Sequence, residues 1–123
     1  GGMLKYLRRY PVSRVTIAGG FAKVTKLAQG FLDLHSGRSQ VDFEWLANSV
    51  DALGANSELI DKVRNAKSAG RVLDLSQFHD IAIGNWVAGR AAETALRVLA
   101  DSPIKLDVGV FDRRGALVGQ SNV

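Results

Sequence analysis

The stretch Thr16-Ile17-Ala18-Gly19-Gly20-Phe21-Ala22-Lys23-Val24-Thr25-Lys26-Leu27-Ala28-Gln29-Gly30-Phe31-Leu32 decides the fold, because the spacing of its apolar residues changes in the middle. Val15 and Ile17 alternate with Arg14 and Thr16 in a run rich in Val, Thr and Ile, which predicts a short strand from Val12 to Ala18. Gly19-Gly20 ends that strand. From Phe21 the apolar residues recur at helical spacing, with Phe21, Val24, Ala28 and Phe31 on one stripe and Leu27 and Leu32 flanking it. Gly30 falls inside this predicted helix, where a glycine costs about 1 kcal/mol. That cost makes sense if something must approach the helix closely.

Upstream, Pro11 closes the opening segment, since proline lacks an amide hydrogen and disfavours helix at the residue before it. Downstream, Asp42 is a good N-cap for a helix whose inward face is Phe43, Leu46, Val50 and Leu53, and Gly54 stands where a left-handed terminating residue belongs. A third helix is expected from about Ser57, carrying Ile60, Val63 and the stem of Lys67, and ending at Gly70. Next come a short helix near Ser76 to Ile83 and a longer alanine-rich one near Asn85 to Ala100, with Ala88, Ala92, Ala95 and Leu99 inward. After Pro103, Ile104, Leu106, Val108 and Val110 alternate with Lys105, Asp107, Gly109 and Phe111 in a strand. Asp112-Arg113-Arg114-Gly115 is a turn, and Ala116 to Gly119 return antiparallel as a hairpin. The expectation is an α/β fold: a small sheet with a strand-turn-helix start, several helices and a C-terminal hairpin, a Rossmann-like fragment of a larger protein. Three strands are few, and Gly1-Gly2 lead into the opening segment without a cap signal, so residues 1–123 read as a piece of something longer, with neighbouring strands expected upstream.

At 123 residues, 46% apolar and 23% charged, the chain has the make-up of one globular domain rather than a disordered tail or a collagenous repeat. Cysteine is absent, which excludes disulfides, thiolate chemistry and Cys-ligated zinc or iron–sulfur centres. His35 and His79 are distant in sequence, so a metal site would need the fold to unite them with a carboxylate, and no protein-bound metal is expected. No apolar run approaches the roughly 18 residues that span a bilayer, and no signal pattern opens the chain, so a cytoplasmic protein without membrane contact is expected. The net charge of +4 is uneven: residues 1–40 carry seven basic side chains against Asp33 alone. An anionic partner therefore belongs on the N-terminal side.

The junction of strand, Gly19-Gly20 and helix is the most informative chemical feature. A glycine-rich turn lets the first helical amides converge on an anion while the helix dipole adds partial positive charge. Neither the Walker frame nor the dinucleotide fingerprint is present, and two glycines can simply make a tight turn. Lys23 and Lys26 favour the binding reading, since cations in the first turns oppose the dipole and no acidic residue between Phe21 and Leu32 compensates them. His35-Ser36 follows in a polar loop; as a sequence pair it is weak evidence for nucleophilic catalysis, because a triad is spatial and needs an orienting carboxylate. His79 reads as structural or exposed, and Trp45 and Trp86 as core or lid residues. Lys5, Arg8 and Arg9 have only Tyr6 and Tyr10 interleaved and no recognition motif, so no nucleic-acid partner is expected.

The run from Thr16 to Ser36 resembles the cobalt-precorrin-5B C1-methyltransferase (CbiD) family of cobalamin biosynthesis. In that family a strand leads through a Gly-rich turn to a Lys-x-x-Lys-x-Ala-x-Gly helix and an Asp/Asn-x-His-Ser loop, with an Asp opening the next helix. The matching positions are Lys23, Lys26, Ala28, Gly30, Asp33, His35, Ser36 and Asp42, and the Arg90 to Leu96 helix and the Phe111 to Gly115 hairpin are similar too. The resemblance covers essentially the whole chain but only the C-terminal portion of such a protein. It implies an enzyme that moves a methyl group from S-adenosylmethionine to C1 of a cobalt-containing corrinoid, the metal belonging to the substrate; the fragment alone is expected to be inactive. On that basis His35 and Asp33 are the catalytic candidates, and Gly19, Gly20, Lys23, Lys26, Gly30 and Ser36 the substrate-binding ones. The alternative is a noncatalytic docking or dimerisation domain of the same pathway enzyme, with self-association into a homo-oligomer.

Overall fold

The computed structural model describes residues 14–30, 40–98 and 105–121. The order is β1 (Arg14–Gly20), α1 (Phe21–Ala28), α2 (Phe43–Ala52), α3 (Ser57–Arg64), α4 (Ala69–Phe78), α5 (Ile83–Val98), β2 (Lys105–Phe111) and β3 (Leu117–Gln120). This is a mixed α/β architecture with three strands and five helices among the described residues.

The strands form one sheet in the order β1-β2-β3. β1 and β2 run parallel, with Arg14 opposite Lys105 and Gly20 opposite Phe111. β2 and β3 are antiparallel, with an irregularity between Val110 and Phe111. The period-two pattern puts Val15, Ile17, Leu106, Val108 and Val110 on the face covered by helices, where α1 and α5 lie against the strands. The other face carries Thr16, Ala18, Asp107, Gly109, Phe111 and Leu117 around a shallow hollow of about 240 Å³. On that face Arg14 bonds Asp107 across the pair, Nε to Oδ2 at 2.7 Å.

Helix boundaries follow capping chemistry. The Asp42 carboxylate accepts from the amides of Glu44 (2.9 Å) and Trp45 (3.1 Å), which starts α2, and Gly54 ends it at φ +95°. Asn56 caps α3 through the Leu59 amide at 2.9 Å, and Ser68 caps α4 through the Arg71 amide at 3.2 Å. A single apolar cluster fills the space between helices and sheet, with Leu46, Val50, Leu59, Val63, Val72, Ile83, Val87, Val108 and Val110 fully buried. Burial of each such side chain contributes about 1.5–3 kcal/mol.

Several boundaries differ from expectation. β1 runs on to Gly20, two residues beyond Ala18, while Val12 and Ser13 lie outside the described residues. α1 stops at Ala28, and Gly30, at φ +99°, is its left-handed terminator rather than a glycine inside a helix. A residue with a Cβ would be strained there, so Gly30 is explained by the turn without any close approach. α3 ends at Arg64, with Asn65 as its C-cap, so Lys67 lies beyond it. Gly70 is the second residue of α4, which starts at Ala69 and not near Ser76, because Ser68 supplies the cap. The last helix starts at Ile83, ahead of Asn85. Phe31, Leu32, Leu99 and Ile104, and the opening segment with Lys5, Arg8 and Arg9, lie outside the described residues.

Candidate functional site

The parallel register fixes where a ligand would meet the strand-turn-helix junction. Gly19 is opposite Val110 and Gly20 opposite Phe111, so both parallel strands end at the same edge. α1 and the hairpin turn from Asp112 to Gly115 both leave from there. In open α/β sheets this carboxyl edge is where ligands bind.

The two glycines of the junction have different roles. A Cβ on Gly19 would stand 3.4 Å from Val24 Cγ2, so Gly19 allows α1 to sit close on its own strand. Gly20 is exposed, is the N-cap of α1, and offers no side-chain bond to the helix amides; a Cβ there would meet nothing within 4 Å. Among the described residues the tip of β1 is therefore open, and no side chain accepts from the first amides of α1.

Lys23 is exposed and Lys26 half-buried, and α1 has no acidic residue in its first turn. Neither lysine makes an ion pair among the described residues. They are three residues apart and share a face of the helix. With α1 only two turns long, Lys26 stands in its last turn, where the dipole favours a cation, so only Lys23 opposes the macrodipole.

Asp33, His35 and Ser36 lie outside the described residues, but the residues that flank 31–39 do not. Gln29, at the C-cap of α1, donates from Nε2 to the Gln40 carbonyl at 3.0 Å, and its Oε1 accepts from the Asp42 amide at 2.9 Å. One side chain thus joins the end of α1 to the start of α2 and brings the two ends of that stretch together. Nothing in the sequence marks Gln29 for this task, since a glutamine at a helix end carries no motif.

A second feature at the carboxyl edge also has no sequence signal. Between α4 and the hairpin turn is a cleft of about 390 Å³ whose polar lining includes Arg71, Asp74, Gln77, Asp112, Arg113 and Arg114. Asp112 is occupied by the turn, its Oδ1 accepting from the amides of Arg114 (2.8 Å) and Ala116 (2.9 Å).

The remaining singled-out residues are peripheral. His79 is the exposed C-cap of α4, its ring edge-on to Phe78 at 5.3 Å. Trp45 and Trp86 are half-buried against the core, and Arg90 stacks 4.5 Å from the Trp86 ring. Among the described residues no group of three or more His, Asp or Glu side chains could hold a metal, and no helix is long and apolar enough to cross a membrane.

Comparison with known families decides the lineage. Residues 33–122 match the profile described as CbiD, C-terminal domain. The chain belongs to the CbiD family. Three similar proteins, each named cobalt-precorrin-5B C(1)-methyltransferase, come from Bradyrhizobium sp., Methylorubrum extorquens and Halorhodospira halophila. They are 54%, 51% and 48% identical to this chain over 98%, 96% and 98% of its length. The chain spans about a third of each, 32%, 33% and 32%. No solved structure matches it. The CbiD profile takes in Arg71, Arg113 and Arg114 and begins after the Gly19-Gly20 junction. The similarity to the three CbiD relatives extends over nearly all of the chain.

Proposed function

We propose that this chain is the C-terminal domain of an S-adenosylmethionine-dependent methyltransferase that methylates C1 of cobalt-precorrin-5B in cobalamin biosynthesis. In this reading its share of the work is to hold the acceptor at the carboxyl edge of β1 and β2. The observation that carries the reading is the tip of β1, open among the described residues, with uncapped helix amides and two lysines that pair with no described residue, in a chain that aligns over nearly all of its length with proteins of that name. Corrinoid precursors carry acetate and propionate groups around the ring. Lys23, Lys26 and the amides after Gly20 suit such carboxylates through charge-assisted hydrogen bonds.

S-adenosylmethionine would supply the methyl group from its sulfonium: the ring carbon would bond to the methyl carbon in line as the methyl–sulfur bond breaks and S-adenosylhomocysteine leaves. The same uncapped amides fit the carboxylate of that donor, whereas the described residues of β1 and α1 offer no acidic side chain for its ribose hydroxyls, so the fit is partial. Holding the acceptor in place matters more here than a protein nucleophile, because alignment of two bound molecules supplies much of the rate of such a transfer. Asp33 and His35 are assigned to proton movements, and Ser36 to substrate contact, from their place in the family motif, whereas Gly30 serves the turn that ends α1. The strand-turn-helix followed by a parallel neighbour supports the Rossmann-like description, and a biosynthetic enzyme of this kind works in the cytoplasm.

The test is replacement of Lys23 and Lys26 by Ala in the whole enzyme. kcat/KM for the macrocycle should fall, and an unchanged value would sink the reading. The uncovered sheet face with Phe111 and Leu117 favours a second reading, a docking or dimerisation domain. Saturable self-association in sedimentation, without calorimetric binding of S-adenosylmethionine or its demethylated product, would favour it.

A further inference from the structure

Seven arginines fall within the described residues, and they divide into two groups. Arg14 pairs with Asp107, Arg64 with Glu44 and Asp61, and Arg90 with Glu93 and the Trp86 ring; Arg97 donates to Thr94 Oγ1 at 3.0 Å. Among the described residues the guanidinium groups of Arg71, Arg113 and Arg114 have no ion pair and no hydrogen-bond partner. All three line the same cleft between α4 and the hairpin turn.

That coincidence points to a ligand. An arginine with nothing to bond normally extends into solvent, and three from two distant segments have no structural reason to meet around one cavity. The acidic residues of the cleft do not neutralise them. Asp112 spends one oxygen on the turn amides, and neither Asp112 nor Asp74 makes an ion pair with any of the three. Gly70 also lines the cleft, where a Cβ would meet only Ser68 Oγ, at 3.9 Å. A planar guanidinium matches a carboxylate in a two-pronged bond, which a lysine cannot make.

We propose that the cleft formed by Arg71, Arg113 and Arg114 is a carboxylate-binding site that takes acidic side groups at the rim of the macrocycle; the macrocycle as ligand rests on the function proposed above. The cleft and the Gly20 tip share the carboxyl edge of the sheet, since Asp112 directly follows Phe111, the partner of Gly20. A ring bearing acidic groups on several sides can therefore be held from two directions, by lysines and amides on one side and arginines on the other. The arginines then determine which face of the ring is presented.

The test is isothermal titration calorimetry on the whole polypeptide that carries this chain, comparing wild type with the R71Q/R113Q/R114Q triple variant and the three single variants. The probes are uroporphyrin III (a tetrapyrrole ringed by acetate and propionate groups), citrate and S-adenosylhomocysteine. Weakening of uroporphyrin III binding by at least roughly tenfold in the triple variant, with smaller losses in the single ones and unchanged affinity for S-adenosylhomocysteine, supports the proposal. Equal uroporphyrin III affinity in wild type and triple variant overturns it. A loss confined to S-adenosylhomocysteine overturns the macrocycle as occupant and assigns the cleft to the carboxylate of the methyl donor. A wild type that binds citrate through these arginines but no tetrapyrrole keeps the carboxylate site and defeats the substrate proposed above. All three side chains are exposed, so circular dichroism should show the variants folded as wild type.

Discussion

Gly84 of α5 and Gly119 of β3 pack backbone against backbone. A Cβ on Gly84 would stand 2.8 Å from the Val118 carbonyl carbon and 3.1 Å from Gly119 Cα, and one on Gly119 would stand 2.6 Å from the Asn85 amide nitrogen. Beside this contact Asn85 Oδ1 accepts from the Gln120 amide at 2.9 Å. The hairpin is thereby fixed to the start of the longest helix, and with it the turn that bears Arg113 and Arg114.

Because the atoms in the way are main chain, they cannot swing aside. Gly84→Ala should destabilise the protein by about 3 kcal/mol, the upper end of overpacking costs. Gly70→Ala, where the added methyl is in open contact, should change stability by less than about 0.5 kcal/mol. Urea unfolding monitored by circular dichroism reads both; equal midpoints would show that the hairpin moves freely against α5.

Loss of the Asp42 carboxylate leaves two α2 amides without their acceptor. Asp42→Ala should cost about 1 kcal/mol, whereas Asp42→Asn should recover most of it. Urea midpoints of the two variants should separate in that order, and coincident midpoints would deny the cap its role.

Gln29 ties both ends of residues 31–39, so its removal should disturb function more than stability. On the function proposed above, Gln29→Ala is expected to lower kcat/KM of the whole protein roughly tenfold, as expected for misplacement of reacting groups. The melting temperature should shift by only a few degrees, since two exposed hydrogen bonds contribute little. Full activity in this variant would show that the catalytic candidates do not depend on the tether.

The lysine pair gives a salt-sensitive prediction. Affinity for the acidic macrocycle should fall as sodium chloride rises from 50 to 500 mM, and Lys23→Ala with Lys26→Ala should flatten that dependence. Stability should change little for Lys23→Ala. It should drop by roughly 0.3–1 kcal/mol for Lys26→Ala, because that ammonium complements the C-terminal end of α1. Parallel salt curves for wild type and double variant would remove these residues from the contact.

The legible parts of the fold were those set by neighbours in sequence. Asp42 and Gly54 bracket α2 as read, the turn at Asp112 to Gly115 carries its glycine at φ +83°, and the hairpin returns antiparallel. Glycine proved ambiguous, because Gly30 stops a helix and Gly70 sits near the start of one, and only the cap at Ser68 tells them apart. What depends on long-range pairing left no trace. Neither the parallel match of Gly20 with Phe111 nor the meeting of Arg71 with Arg113 and Arg114 has any local pattern behind it. The lysine face was visible as an uncompensated charge run. The arginine cleft was not, since its members are scattered over two segments.

The pairing of β1 with β2 also sets an order of events in folding. Arg14 and Lys105 must find each other across all five helices, so the entropy of closing that loop must be met before any ladder bond repays it. The intervening helices, of which α2, α3 and α4 are held by local caps, can condense first and bring β1 and β2 within reach. The parallel ladder should then form last, and the amide protons that join β1 to β2 should be protected later in refolding than those of α2 and α3.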